Sequence, residues 1–231
     1  MTAEGPCTGE LLEIVPWIAS GGRALVVGQA HRLLAQGDPG RWSKAQRHAL
    51  LLLALSYQMA RRLLADLALE PAPLGPRTWR WKLCPGSEKI PASTLLWSGI
   101  GSAQVKPLPR THGFMAELPE TLVQQVLAWA PPVVAPADRS GNCLVMADHV
   151  SALLARHRLP EQRIRVVRTR YATGVPRAIP EICQALVHAL GPVFTAQERR
   201  IAEFAPDEAH ARLLTGYSRA QYYRLKGGAR G

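Results

Sequence analysis

The run Ala49-Leu-Leu-Leu-Leu-Ala-Leu55, continued by Ser56 and Tyr57, constrains this chain more than any other stretch. A helix over these residues is apolar on nearly every side. It has no polar face to give to water, so other elements must pack around it. The run is too short to span a bilayer. Ser43 is placed to cap a helix that extends through SKAQRHALLLLALSYQMARRLLADLAL, with Arg61 and Arg62 in its far half. The expectation is a central, buried helix in a soluble protein. The 231 residues, 47% of them hydrophobic, are enough for one large domain or for one domain with a small appendage.

The remaining chain divides into a lead segment over 1–22, a core over 23–192 and a basic helical tail over 193–231. The lead contains one amphipathic piece, Glu10 to Ile18, broken by Gly21-Gly22. ALVVGQAHRLLAQ predicts a helix from Ala24 to Gln36, closed by the turn Gly37-Asp38-Pro39-Gly40. Pro71, Pro73 and Pro76 end helical structure. Between Arg77 and Pro109 the pieces RTWRWKL, STLLWSGI and SAQVKPL predict a small antiparallel sheet. Trp79, Trp81 and Trp97 either stack on bases or cover the face of that sheet. A helix, TLVQQVLAW, follows Leu118-Pro119-Glu120, and a connector runs from Pro131 to Asn142. Further helices are expected from Met146 to His157 and, opened by Pro180, over EICQALVHAL as far as Gly191-Pro192. The predicted fold class is mainly α with a small antiparallel β-sheet (α+β).

Charge narrows the function. Lys plus Arg number 28 against 17 Asp plus Glu, a net charge of +11 with a pI near 10.2. From Arg156 to Gly231 there are 14 basic and 6 acidic residues, so +8 of that charge lies in the last third. The expected partner is a polyanion, nucleic acid before an anionic membrane. RIRVVRTRYAT, over 163–173, holds Arg163, Arg165, Arg168 and Arg170. On a helix Arg165 and Arg168 would share a face and offer a fork of guanidiniums to a phosphate. In the tail, Asp207 caps EAHARLL, Thr215-Gly216 turns, and Ser218 caps SRAQYYRL, the pattern of a helix-turn-helix. There Ser218, Arg219, Gln221 and Tyr222 would face a DNA groove, with Arg177, Arg224 and Lys226 as further DNA-binding cations.

Other chemistries find little support. Cys7, Cys84, Cys143 and Cys183 have no metal-ligand spacing, and the seven histidines show none either, so neither a metal nor a cofactor is expected. VVGQAH lacks the further glycines and the Lys of a phosphate loop. Asp148 and His149 are adjacent, so on a helix they point apart and form no dyad. The N-terminus has no charged-then-apolar signal, which places the expected protein in the cytoplasm with reduced thiols and no membrane contact.

The order of pieces resembles the catalytic domain of the tyrosine recombinase (phage integrase) superfamily, roughly over Gly28 to Leu190. QAHRLLAQGDPGRWSKAQRHALLLLALSYQMARRLLADLALE looks like that domain's opening, where a buried helix leads to the first catalytic arginine; Arg61 and Arg62 stand nearest to it. Lys106 and GFMAELPETLVQQVLAW are similar to the family's hairpin lysine and the helix after it. Arg165-Val-Val-Arg168-Thr-Arg-Tyr-Ala-Thr looks like the second box, with Arg168 at the arginine and Arg165 where the family has a His or Lys. His188 lies near the place of the closing His. LLTGYSRAQYYRL resembles the ending, with Tyr222 or Tyr223 as nucleophile. The resemblance implies a Tyr hydroxyl attacking a scissile phosphate whose oxygens are held by arginines, without metal or nucleotide. It points to a DNA-binding accessory or catalytically degenerate factor in recombination of a mobile element. An active recombinase and a helix-turn-helix transcriptional regulator are the alternatives. Duplex DNA, a second copy of the chain or a partner recombinase are the expected partners.

Overall fold

The computed structural model describes residues 34–35, 38–73, 80–84, 86–100, 108–174 and 177–227. The expected lead segment and Lys106 lie outside them, as do Trp79 and all of the first expected helix except Leu34 and Ala35.

Helix α1 (Lys44–Leu67) begins at a reciprocal capping box: Gln46 N–H donates to Ser43 Oγ, and Ser43 N–H donates to Gln46 Oε1. Residues 49 to 60 are buried without a break, and the Ser56 hydroxyl satisfies itself on the Leu52 carbonyl. The helix is therefore enclosed, as its sequence requires. It ends at Ala68, whose φ of 54° is left-handed and more often seen in glycine. Around α1 pack α2 (Pro109–Glu117), α3 (Glu120–Trp129) by way of the shared core, α4 (His149–Arg158), α5 (Ile179–Ala196), α6 (Glu198–Phe204) and α7 (Glu208–Thr215). A last helix, α8 (Arg219–Gly227), packs on α7.

Helix α2 has no acidic side chain of its own in its first turn, and both its ends are closed from outside. Asp66, at the end of α1, accepts from the N–H groups of Arg110 and Thr111 and from the Thr111 hydroxyl, at 3.1, 2.9 and 2.8 Å. Arg158, at the end of α4, donates to the carbonyls of Met115 and Leu118, both at 2.8 Å. The orphan groups of one short helix thus tie α1 and α4 together.

The expected end of α5 at Gly191-Pro192 is not observed; the helix runs through to Ala196. Pro192 has no N–H to give the preceding turn, but Val193 and Phe194 carry the buried stripe onward, and Phe194 stacks on Tyr57 of α1 at 5.1 Å. Tertiary packing overrides the local breaker here.

Two strand expectations also change. RIRVVRTRYAT is not helical but the long central strand β6 (Arg163–Thr173). Arg163 to Val166 alternate polar and β-branched at a period of two, and Val167 and Thr169 add further β-branched residues; this outweighs the three-residue spacing of Arg165 and Arg168. The sheet is mixed rather than antiparallel. β1 (Arg80–Leu83) and β2 (Glu88–Pro91) do not pair with one another. They run antiparallel to successive parts of β6, along one edge. Along its other edge β4 (Val133–Val134) lies parallel to β6; β5 (Cys143–Ala147) is antiparallel to β4, and β3 (Leu95–Leu96) is parallel to β5. The apolar run CLVMA, expected in part as the start of a helix, is buried strand β5, and α4 starts two residues later. Short apolar runs fit either element. The fold is thus mainly α with a small mixed sheet.

Asp66→Ala is expected to lower the unfolding free energy by about 1–3 kcal/mol, through three orphaned donors at the start of α2. Urea titration checks this: the midpoint falls at unchanged m-value, and a shift below about 0.5 kcal/mol would show that water replaces the cap.

Candidate nucleic-acid interface

At its N-terminal end β6 has, among the described residues, only β2 beside it, and the two form a two-stranded antiparallel ribbon in which Ile90 faces Ile164 and Lys89 faces Arg165. Alternation gives this ribbon two unlike faces. Ile90, Ile164 and Val166 point down into the main core. Lys89, Arg163 and Arg165 point out, and all three are exposed. Arg163 Nη2 donates to the Lys89 carbonyl at 2.7 Å and Arg165 Nε to the Ser87 hydroxyl at 2.8 Å. These contacts set the guanidiniums in place without neutralising them. The result is a patch of three exposed cations, the two guanidiniums held by uncharged groups, on an element slim enough to meet a nucleic-acid groove.

Arg168 lies on the opposite face of β6 from Arg165, because three residues along a strand change sides. The phosphate fork expected from these two residues is therefore not formed. Arg168 turns inward along the sheet. It pairs through Nε with Glu88, donates to the Ala135 carbonyl at 3.2 Å and approaches Cys143 Sγ at 3.6 Å. Burial works against its charge, but the Cys143 sulfur and the Glu88 carboxylate outweigh it and raise its pKa.

The other expected residues are dispersed over different partners. Arg62 donates to the Gln58 carbonyl and side chain at 2.9 and 2.8 Å and lies 4.0 Å over the Phe114 ring, so it braces α1 against α2. Arg61 is exposed, 5.6 Å from the Tyr57 ring centre. His188 is exposed on α5. Arg177, expected on DNA, is instead 4% exposed and lies 3.9 Å from Glu181.

In the tail the expected caps are present: Asp207 accepts from His210 N–H, and Ser218 and Gln221 form a reciprocal box. α7, a turn at Gly216 with φ 74°, and α8 make a helix-turn-helix shape. Tyr222, however, is 3% exposed and packs on Ala202 and Ala211, so it does not face a groove. Tyr223 is exposed and donates to Glu208 at 2.5 Å. The same carboxylate lies 3.7 Å from Arg219 and 3.9 Å from Arg212. Arg224 is exposed, and Lys226 falls within α8.

Trp97 is buried, with the Arg156 guanidinium 5.5 Å from its ring, so it covers the core rather than offering a base-stacking surface.

One junction escaped the sequence reading. β5 passes into α4 through Asp148, whose φ of 57° is rare outside glycine. This turn sends His149 toward α1 and α5, where both its ring nitrogens are shielded from water and have no hydrogen-bond partner among the described residues. An unmet buried polar group costs about 1–3 kcal/mol. Burial pushes the pKa of His149 down to about 4. The only signal in the sequence was a polar pair placed directly after an apolar run.

Two tests follow. Arg168→Ala should destabilise the fold by about 1–2 kcal/mol, through the lost packing of a largely covered side chain and an Ala135 carbonyl left without its donor, whereas Arg165→Ala should stay within about 0.5 kcal/mol. Equal effects in thermal unfolding would contradict the two-faced strand. For His149, the unfolded chain takes up a proton below its ordinary pKa of 6.5 while the folded chain does so only near 4. Stability should therefore be lost as pH falls through that window. In a pH series of denaturation curves, His149→Phe should flatten this loss; an unchanged slope would mean that the ring is not desolvated.

No protein-family profile, curated protein or solved structure matches the chain.

Proposed function

We propose that this protein binds duplex DNA through the outer face of the β2–β6 ribbon, and that it serves recombination of a mobile element as an accessory factor rather than as a strand transferase. The observation that carries the binding reading is the ribbon's cationic face: Lys89, Arg163 and Arg165 are exposed, and the contacts of the two guanidiniums go to a carbonyl and a hydroxyl. A two-stranded antiparallel ribbon fits a major groove, and cations along it gain phosphate contacts by releasing counterions. The net charge of +11 favours the same partner.

The accessory role rests on the resemblance to tyrosine recombinases together with the positions of the residues that would do the chemistry. Such an enzyme needs several cations and one phenol converging on one phosphate. Here Arg168 engages Glu88, Arg62 engages Gln58, and Tyr223 engages Glu208. Each of these contacts would have to be broken before the group could act on DNA.

Fluorescence anisotropy with a mixed-sequence duplex tests the proposal. Replacing Lys89, Arg163 and Arg165 together by Ala should weaken binding by an order of magnitude or more at moderate salt. It should also reduce the slope of log affinity against log salt by about 2–3, near one for each lost phosphate contact. Unchanged affinity and slope would move the interface elsewhere. A nicked suicide duplex should yield no covalent protein–DNA adduct; an adduct lost in Tyr223→Phe would establish an active recombinase instead.

A further inference from the structure

In the tail, two arginines from different helices meet at one carboxylate. Arg212, in the last turn of α7, and Arg219, which opens α8, flank the turn at Gly216. Both approach the same oxygen: Glu208 Oε1 lies 3.9 Å from Arg212 Nη1 and 3.7 Å from Arg219 Nε. The other oxygen, Oε2, accepts from the Tyr223 hydroxyl at 2.5 Å, and this bond from α8 fixes the carboxylate between the guanidiniums. The two cation contacts are too long for hydrogen bonds, so charge alone holds them. Arg212 Nε has no hydrogen-bond partner among the described residues. Both arginines thus keep donors that Glu208 does not use.

Two guanidiniums and a phenol around one oxyanion suit any oxyanion of the same charge. A phosphodiester is such a group, with one negative charge and two non-bridging oxygens for an arginine fork. We propose that Arg212 and Arg219 form a second site for a phosphate of the DNA backbone, and that Glu208 occupies it in the free protein and so withholds the tail from DNA. The inference rests on duplex DNA as the partner but not on the ribbon as the place of contact. Exposed ion pairs hold weakly, so the arginines can change partners. The displaced carboxylate, tethered at the first residue of α7, then stands beside the phosphate and repels it. Neutralising Glu208 removes that repulsion. The neighbouring Asp207 is engaged elsewhere: it accepts from His210 N–H at 2.9 Å and lies 2.6 Å from His210 Nδ1. Tyr223 acts here only as a hydrogen-bond donor, with no covalent step.

Fluorescence anisotropy with the full chain and a mixed-sequence duplex tests the site through a double-mutant cycle. Glu208→Gln should tighten binding about threefold or more and steepen the slope of log affinity against log salt by about one, for one added phosphate contact. With Arg212→Ala and Arg219→Ala already in place, Glu208→Gln should change affinity by less than about 1.5-fold. Glu203→Gln, which removes an exposed carboxylate 3.6 Å from Arg199 on α6, should have as little effect. Circular dichroism verifies folding; should the double arginine variant lose its helices, Arg219→Ala serves alone, because that side chain is 72% exposed. No gain from Glu208→Gln would overturn the proposal. So would an equal gain without the two arginines or an equal gain from Glu203→Gln, either of which would assign the effect to net charge. Poly-glutamate that profits from Glu208→Gln as much as DNA does would give the site to an acidic chain and overturn it too. The ribbon fails separately: unchanged affinity after loss of Lys89, Arg163 and Arg165 removes that interface and leaves the coupling between Glu208 and the tail arginines intact.

Discussion

Burial of α1 on all sides is the constraint on which the other elements depend. Leu50, Leu51, Leu52, Leu53 and Leu55 are each at most 5% exposed. At about 1.5–3 kcal/mol for each such side chain, they contribute on the order of 10 kcal/mol, comparable to the whole net stability of an ordinary domain. No single neighbour can cover a helix that is apolar all round. α5 takes one side, α2 another, and α4, α6 and α7 close the remainder. The side-chain caps on α2 follow from this arrangement. A nine-residue helix is marginal by itself; with Asp66 and Arg158 at its two ends it becomes a fixed spacer between α1 and α4.

β6 joins this helical body to the surface. Its even-numbered residues Ile164 and Val166 belong to the main core, while its odd-numbered residues Arg163 and Arg165 remain in water. Farther along, Val167 joins a separate small cluster with Val133, Met146 and Ala147 on the outer face. The strand thus carries two apolar surfaces, offset along its length, and a cation at the margin of each. Arg168 is the exception that the geometry explains. It occupies a core-facing position in the interior of the sheet, between β4 and the end of β1, where desolvation would be costly without a carboxylate and a carbonyl within reach. Glu88 and Ala135 supply them.

Much of the helical framework was legible in the sequence because it rests on local chemistry. Ser43, Asp207 and Ser218 cap the helices that their side chains announce, and the run from Ala49 is as enclosed as its composition demands. What could not be read depends on contacts distant in sequence. Whether RIRVVRTRYAT is helix or strand turns on its pairing with β2 some 75 residues earlier, at Lys89 and Arg165. Whether α5 stops at Pro192 turns on Tyr57, far away in α1. The junction at His149 is set where three helices meet, and the left-handed turn at Asp148 that places it had no sequence signal beyond a polar pair after an apolar run. On a helix neighbouring residues do diverge, but Asp148 is not helical; it is the turn that precedes the helix.

Net charge alone is a poor guide to where such a protein would meet a polyanion, and local pairing is a better one. The basic tail holds several of the chain's arginines, yet Glu208 lies within 4 Å of both Arg212 and Arg219, and Arg199 lies 3.6 Å from Glu203. Exposed pairs of this kind contribute only about 0–1 kcal/mol to stability, so they could be exchanged for phosphate, but each exchange would release a carboxylate beside the DNA. On the ribbon, Arg163 and Arg165 are oriented by a carbonyl and a hydroxyl, groups that need not leave and carry no charge to repel the ligand. The nearest acidic residue on β2, Glu88, is turned to the other face and held by Arg168. Arg168, placed by resemblance at the centre of a catalytic box, would then help binding indirectly, by keeping a carboxylate away from the cationic face.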